Sequence, residues 1–434
     1  DVHRLSEFPE VQRVISYLLS ELSDAGLIKN SPRKKILKHL KVVVLDLYIC
    51  YLANPRIYVA YPRGSSAYSP GTRLNKLYLG LDSMKRVVNG LSSLGYLEGH
   101  LGIYNRVTET GFQSRMRATS RLIDLIQNYE VVPSMISREE SDVIVLRYQG
   151  TKKEIPFDDT EEIVRMREEL CSYNTFLKSH KLGLSISPDK IRDLLIERRC
   201  PAIDDTRNSL YRIFNGDFTS GGRFYRGWWQ NIPRDLRKHI TIDGEPCSEL
   251  DYSGQHLLLL YAHGKDEYRW IKGNDDDPYI LEGYGDGVRD LLKVATLILV
   301  NATGRHQAFQ AIRDKIYYDF PDLEPTTAFI NPLIDAMLDK HSMVRHLFFS
   351  GRGRALQFKD SQIAAYVLTH MQAHGYLALP VHDSFVVQDR YLGQLYSLMK
   401  EAYRMLGVES IPEIKIKKGA HTTFAEPYFK SLWQ

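Results

Sequence analysis

Cysteine is scarce and scattered: Cys50, Cys171, Cys200 and Cys247 form no CxxC pair. That argues against a zinc knuckle or a disulfide framework and makes a reducing, cytoplasmic setting the default expectation. No apolar run approaches the roughly 20 residues that span a bilayer, and the N-terminus lacks a charged-then-apolar signal pattern, so no membrane partner is expected. The chain starts at Asp1 rather than Met, as a piece of a longer or processed chain would. GxSxG and HExxH are missing, which removes the usual serine-hydrolase and zinc-peptidase signatures. Internal repeats and low-complexity tracts are missing too. Charge is nearly balanced: a formal net charge of +4 and a pI near 8.6 permit a polyanionic partner without requiring one.

What is present is ordinary for a globular protein. The 434 residues, 43% hydrophobic and 25% charged, suffice for two or three domains with at least one large core.

The first informative block is LGLDSMKRVVNGLSSLGYLEGHLGIYNRVTETGFQSRMRATSRL. Met84, Val87, Val88, Leu91 and Leu94 recur at helical spacing, with Asp82 or Ser83 as the expected cap and Gly95 placed to end the helix. A helix over 82–94 is therefore predicted. A strand-like GYLEG, a turn around Gly102, a second strand-like stretch through Val107 and another helix follow. Together with the preceding helical KKILKHLKVVVLDLYICYLA, this order resembles a winged helix-turn-helix domain over about residues 30–127. Lys85, Arg86, Asn89 and Ser92 fall on the outward face of the helix, as residue types that reach phosphates and base edges. A merely solvated face and a protein-docking surface are the alternatives.

Residues 128–215 read as mixed and largely helical, a connector or thumb-like element without visible chemistry. DDTEEIVRMREEL and SPDKIRDLLIERR are its charged segments.

In the stretch LPVHDSFVV, His382, Asp383 and Ser384 interrupt an otherwise apolar strand. An unpaired buried carboxylate costs several kcal/mol, so the site needs a turn, a cation or a metal. Leu377, Leu379 and Val381, then Phe385 and Val387, alternate like two strands of a hairpin with His382 and Asp383 at the turn. Neighbours on a strand face opposite ways, so these three cannot form a Ser-His-Asp triad among themselves. A second carboxylate, Asp251, ends the apolar stretch before the helical HLLLLYAHG; alone it reads equally as a helix cap. If the two strands are neighbours, Asp251 and Asp383 meet at one edge, and such oxygen ligands suit Mg²⁺, with two ions clamping an in-line phosphoryl displacement.

In GVRDLLKVATLILVNATGR, Arg289 and Lys293 lie one helical turn apart on one face, as the charge of a triphosphate requires. The plain alternative is local pairing with Asp286 and Asp290, each within helical reach.

Taken in order, TSGGRFYRGWWQNIP, ELDYSGQH, RDLLK, a helix containing LQFKDSQIAAYVLTHMQ, and VHDS resemble the polymerase core of family A DNA polymerases and of single-subunit phage-type RNA polymerases. The resemblance covers about residues 215–390. It implies an α+β right-hand fold, with an antiparallel palm sheet and helical fingers and thumb. With the winged helix-like stretch it divides the chain into three expected regions: a winged helix-like, DNA-binding domain over 1–127, the connector over 128–215 and the palm and fingers over 216–434. By the resemblance Asp251, the Tyr252 carbonyl and Asp383 would ligate two Mg²⁺ ions, with Mn²⁺ as a substitute. Arg289 and Lys293 would hold the nucleoside triphosphate, Lys293 as a catalytic residue. Arg223, Gln230 and Asn231 would lie along a DNA template and primer duplex, with Gln357 and His382 near the primer terminus.

Departures mark sugar selection as open. His256 stands where the DNA polymerases carry a glutamate against the sugar 2′ position, and Asn301 where both families carry tyrosine. Ser384 follows the His-Asp pair as in the RNA enzymes, which leans towards ribonucleotides. No DxE-type carboxylate pair and little room for a proofreading exonuclease are seen. The expected activity is template-directed nucleotidyl transfer, as DNA polymerase, RNA polymerase or primase. The alternative is a non-catalytic DNA-binding regulator or replication-initiation factor built on a degenerate palm.

Overall fold

The computed structural model describes residues 4–28, 32–68, 79–105, 110–138, 142–198, 200, 203–263, 277–408, 411–419 and 421–432. It is an α+β protein whose contacts gather into two units. The first comprises Asp1–Val143, Ile186–Asn208 and Asn231–Pro233; the second comprises Ile144–Ser185, Ser209–Gln230 and Arg234–Gln434. The span 128–215 thus contributes to both, and besides its helices it holds the strands Ile144–Arg147, Leu182–Leu184 and Tyr211–Asn215. Among the described residues no helix is long and apolar enough to cross a membrane.

In the first unit, helices α1 (Pro9–Asp24), α2 (Arg33–Ala53), α3 (Leu81–Ser93) and α4 (Ser120–Asn128) enclose one core. Helix α1 buries Val11, Val14, Ile15, Leu18, Leu19 and Leu22, the stripe of an amphipathic helix, whereas α2 is buried almost all round from Val42 to Ile49. Helix α3 starts one residue earlier than the pattern predicts, and neither Asp82 nor Ser83 caps it. Gly80 occupies the N-cap, and its N–H donates to Nε2 of the buried His39 (2.8 Å). A buried imidazole from α2 thereby fixes the N-cap residue, and no side chain caps the first turn. At the other end Gly95 takes a φ of 76°, and the Tyr96 N–H reaches the Leu91 carbonyl (2.9 Å) in a Schellman closure.

Strand β1 (Leu97–His100) pairs antiparallel with β2 (Arg115–Ala118), which also pairs with Val59–Ala60. The expected hairpin is therefore more elaborate. Ile103–Asn105 does not return along β1 but pairs with Thr110–Phe112 as a separate ribbon. The Gly102 N–H, bonded to Ser114 Oγ (2.8 Å), marks the change of direction. The end of the predicted second strand, at Arg106 and Val107, lies outside the described residues.

The second unit is built on two sheets. Strands β3 (Ile144–Arg147), β5 (Tyr211–Asn215) and β6 (Asp217–Tyr225) form one, with β5 central. The larger, seven-stranded sheet runs β9 (Ala378–Val381), β10 (Ser384–Gln388), β8 (Glu245–Tyr252), β7 (Ile240–Ile242) and β4 (Leu182–Leu184); β11 (Ile414–Lys418) also pairs with β8, and β12 (His421–Phe424) with β11. Its connections are antiparallel throughout. Helices α5 (Glu161–Lys178), α6 (Gln255–His263), α7 (Arg289–Asn301), α8 (Gly353–Ala373) and α9 (Leu392–Met405) surround these sheets. The β9–β10 hairpin is buried on both faces, so Leu379, Val381, Phe385 and Val387 all face protein. The Tyr173 hydroxyl on α5 donates to the Ala378 carbonyl (2.7 Å), and the Tyr252 hydroxyl to the Met399 carbonyl of α9 (2.6 Å). Each tie satisfies a buried polar group that would otherwise cost stability.

Candidate active site

Asp251 and Asp383 arrive at one place from adjacent strands. The β8–β10 register sets Asp251 opposite Ser384, and Asp383 is the residue before Ser384, in the two-residue turn with His382. His382 carries a positive φ of 60°, which a tight turn between antiparallel strands demands of one of its residues. The Tyr252 N–H faces the Asp383 carbonyl at 3.4 Å. From outside the sheet, Trp229 Nε1 and Gln230 Nε2 both donate to the Pro380 carbonyl (3.0 Å each), so the hairpin is also held just before its turn. Desolvation, then Asp251 and then Asp360 push the Asp383 carboxyl up to about 6. Two carboxylates within range to repel one another invite a cation.

One cation is already there. Lys417 Nζ, on β11, lies 2.6 Å from Asp251 Oδ2 and 2.8 Å from Glu249 Oε1. Glu249 sits two residues before Asp251 and so on the same face of β8; it also takes Arg237 Nε at 3.3 Å and the Ser384 hydroxyl at 2.8 Å. Burial alone would raise the Glu249 carboxyl, but Lys417, Arg237 and Ser384 outweigh it and hold it below the usual carboxylate range. Ser384 is thus committed to Glu249. Among the described residues no three His, Cys, Asp or Glu side chains gather as a closed metal cage. A pair of hard carboxylate oxygens at a strand edge is the donor set for Mg²⁺ or Mn²⁺, which complete their shells with water and phosphate, so the residues present fit such an ion.

Next to the pair, Arg223 on β6 donates from Nε to Asp360 Oδ2 (2.6 Å) and from Nη2 to His256 Nε2 (2.8 Å). Tyr225, on the same face of β6, rests its ring against His382 (6.1 Å between centroids). Asp360 is buried on α8; burial would raise its carboxyl, yet His256 and Arg223 together hold it low. Gln357, one turn earlier on α8, is half-buried on the flank that also carries Asp360 and Ser361. Gly222 makes this approach possible, while Gly221 faces Ile213 and Asn215 of β5. Both have positive φ, and a Cβ on Gly222 would lie 2.7 Å from Phe214 Cε1 and 2.9 Å from Ser361 Oγ.

The helix α7 cations differ from each other. Arg289 pairs with Asp277, at 2.7 Å from Nε, with the Tyr279 ring beneath the guanidinium (5.8 Å). The Asp286 side chain lies outside the described residues. Lys293 is exposed and forms no ion pair among the described residues. Asn301, at the end of α7, donates from Nδ2 to the Leu297 carbonyl (2.7 Å), and its Oδ1 occupies the space a Cβ on Gly353 would need, 1.8 Å away. A tyrosine there would have to displace the first turn of α8.

The remaining sequence-derived residues have other surroundings. The Gln230 amide nitrogen is taken by the Phe224 and Pro380 carbonyls (3.0 Å each), which makes it a support of the hairpin. Asn231 is exposed and belongs by its contacts to the first unit. So do Lys85, half-buried, and Arg86, exposed, on the outward side of α3; Asn89 beside them accepts from Arg63 (3.2 Å). Sequence reading missed Glu249, Lys417, Arg237 and Asp360. Glu249 had a local signal, its spacing from Asp251 on a strand. Asp360 and Lys417 had none, because only tertiary folding brings them near.

The chain matches no protein-family model and no curated protein. Among solved structures it is similar to the POL domain of Pol1 from M. smegmatis, in complex with DNA primer-template and dNTP. The TM-score is 0.36 at 11% identity, over 96% of this chain and 68% of that one. A likeness so slight bears on neither fold nor chemistry.

Proposed function

We propose that the protein is a template-directed nucleotidyltransferase, extending a nucleic-acid 3′-hydroxyl with nucleoside triphosphates on a DNA template. The observation that carries this reading is the meeting of Asp251 and Asp383 on paired strands, with Asp383 desolvated and repelled by its partner. Asp251 and Asp383, with the Tyr252 carbonyl, would hold two Mg²⁺ ions. Bound there, the ions would supply Lewis-acid stabilisation of the charge that develops on the attacking and leaving oxygens. The chain's own groups bind and orient. Lys293, exposed and unencumbered, meets the triphosphate, joined by Arg289 once it exchanges Asp277 for phosphate oxygens. Arg223, His256, Gln357 and His382 line the approach of the primer end. The first unit, which we read as a winged helix, presents Lys85 and Arg86 to duplex phosphates.

A denaturing-gel extension assay tests the reading. It uses a DNA template with and without primer, Mg²⁺, and deoxyribo- or ribonucleotides in separate lanes, with Asp383→Asn as control. Template-dependent products lost in the control are expected. A second reading, a DNA-binding regulator with a non-catalytic palm, is favoured by the Lys417 ammonium already seated on Asp251. Empty lanes from folded protein that still binds DNA would establish it.

Two further results are expected. Lys293→Ala should raise the apparent KM for nucleotide about tenfold or more with little change in melting temperature, since an exposed side chain without an ion pair stabilises binding rather than the fold. An unchanged KM would remove Lys293 from the site. Lys417→Met should tighten Mn²⁺ binding by about tenfold, because the ammonium no longer competes for Asp251, while leaving Glu249 with Arg237 and the Ser384 hydroxyl and lowering stability by roughly 1–3 kcal/mol. Calorimetric titration and urea unfolding measure the two effects separately.

A further inference from the structure

The carboxylate pair has an arginine beside it that does not sit on it. Arg223 lies on the face of β6 that leads, through Tyr225, to the His382–Asp383 turn. A guanidinium has five donors and pairs readily with carboxylates, so an unrestrained arginine there would close on Asp251 or Asp383. It is instead engaged elsewhere. The Asp360 side chain, 1% exposed, accepts from both Nε and Nη2 of Arg223 at its Oδ2, and its Oδ1 accepts from Gln255 Nε2 at 3.2 Å. Nη2 of Arg223 also donates to His256 Nε2 at 2.8 Å, and the same ring nitrogen lies 3.6 Å from Asp360 Oδ2, so the three side chains form one cluster.

We propose that Asp360 is a positioning residue: it clamps the Arg223 guanidinium against His256, beside the Asp251–Asp383 pair rather than on it, and so keeps both carboxylates available to divalent cations. The clamp depends on the close approach of α8 to β6. At Gly222 the strand comes near enough for Arg212 to bridge the two, its Nε on the Gly222 carbonyl (2.8 Å) and its Nη2 on Ser361 Oγ (3.1 Å). Asp360, adjacent to Ser361 on α8, is brought to Arg223 by the same contact. This inference rests on the metal-dependent reading of the carboxylate pair.

Mn²⁺ binding by the full chain without nucleic acid, followed by the electron-spin signal of free Mn²⁺, tests it apart from turnover. Asp251→Asn must first abolish the measured binding. If it does not, or if no Mn²⁺ binds, the metal reading falls and this inference falls with it. Given that control, Asp360→Asn is expected to weaken Mn²⁺ about tenfold, because the released arginine occupies the carboxylates. The double variant Asp360→Asn/Arg223→Gln is expected to recover to within about twofold of the wild type, since no guanidinium is left to intrude. Wild-type affinity in Asp360→Asn, or a double variant as weak as the single, would overturn the proposal. If Asp360→Asn does not fold, Arg223→Lys serves instead. A lysine ammonium cannot make the same planar bridge to Asp360 and His256, so the His256 ring nitrogens should shift in ¹⁵N spectra. Unchanged ring-nitrogen resonances would count against the clamp.

Discussion

Asp251→Asn and Asp383→Asn should each lower nucleotide incorporation by roughly three orders of magnitude or more, the scale set by losing several kcal/mol of transition-state charge stabilisation. The two variants should part company in stability. Asp383 is held up to about 6 against an ordinary 3.8, first by desolvation and then by Asp251 and Asp360. A carboxyl whose folded pKa is raised favours the native state only while protonated. Its contribution is complete below the unfolded pKa and is lost as pH rises through the folded one, that is, between about 4 and 6. Above that window the ionised carboxylate costs roughly 2–3 kcal/mol. In chelator at pH 8, Asp383→Asn should therefore be the more stable protein, with the difference vanishing near pH 4. Asp251, ion-paired to Lys417, should show no such gain and should leave that ammonium less well matched. Urea unfolding of both variants across this pH range, beside the extension assay, is decisive. A destabilised Asp383→Asn at pH 8 would mean that the turn needs its carboxylate for structure, and the functional reading of that residue would fail.

Gly222→Ala carries the second large effect. At a φ of 76° any side chain is strained, and here the new Cβ would lie 2.7 Å from Phe214 Cε1 and 2.9 Å from Ser361 Oγ. Backbone strain and overpacking together should cost about 2–5 kcal/mol, seen as a melting temperature lower by about 5 °C or more. Gly244→Ala separates the two causes, because its φ of 81° is equally strained while a Cβ there meets nothing within 4 Å. It should lose only about 1 kcal/mol. Equal losses at the two positions would show that the β6–α8 contact yields easily. A larger loss at Gly222 would show that the contact carrying Asp360 towards Arg223 is rigid.

The hairpin was legible because alternation is local. Leu377, Leu379 and Val381, then Phe385 and Val387, announce two strands, and His382–Asp383 between them can only be the turn. Helix α3 was legible for the same reason, apart from its start, where Gly80, held by His39 of another helix, stands at the N-cap. Asp277, the acid on Arg289, had no signal in the sequence, because ion pairs within one turn are the ones a sequence displays and Asp277 lies in the loop before the helix.

The sequence by itself determined which strands and helices form and which of them end in a carboxylate, since periodicity and turn chemistry act over a few residues. Only the tertiary structure decided which charges meet. Lys417 reaches Asp251 through the β8–β11 register, and Asp360 reaches Arg223 because Gly222 lets a helix close on a strand. The physical reason is one of range: backbone patterns are set by neighbours along the chain, whereas the partner of a buried charge is whichever group the packing delivers, and burial makes that pairing obligatory.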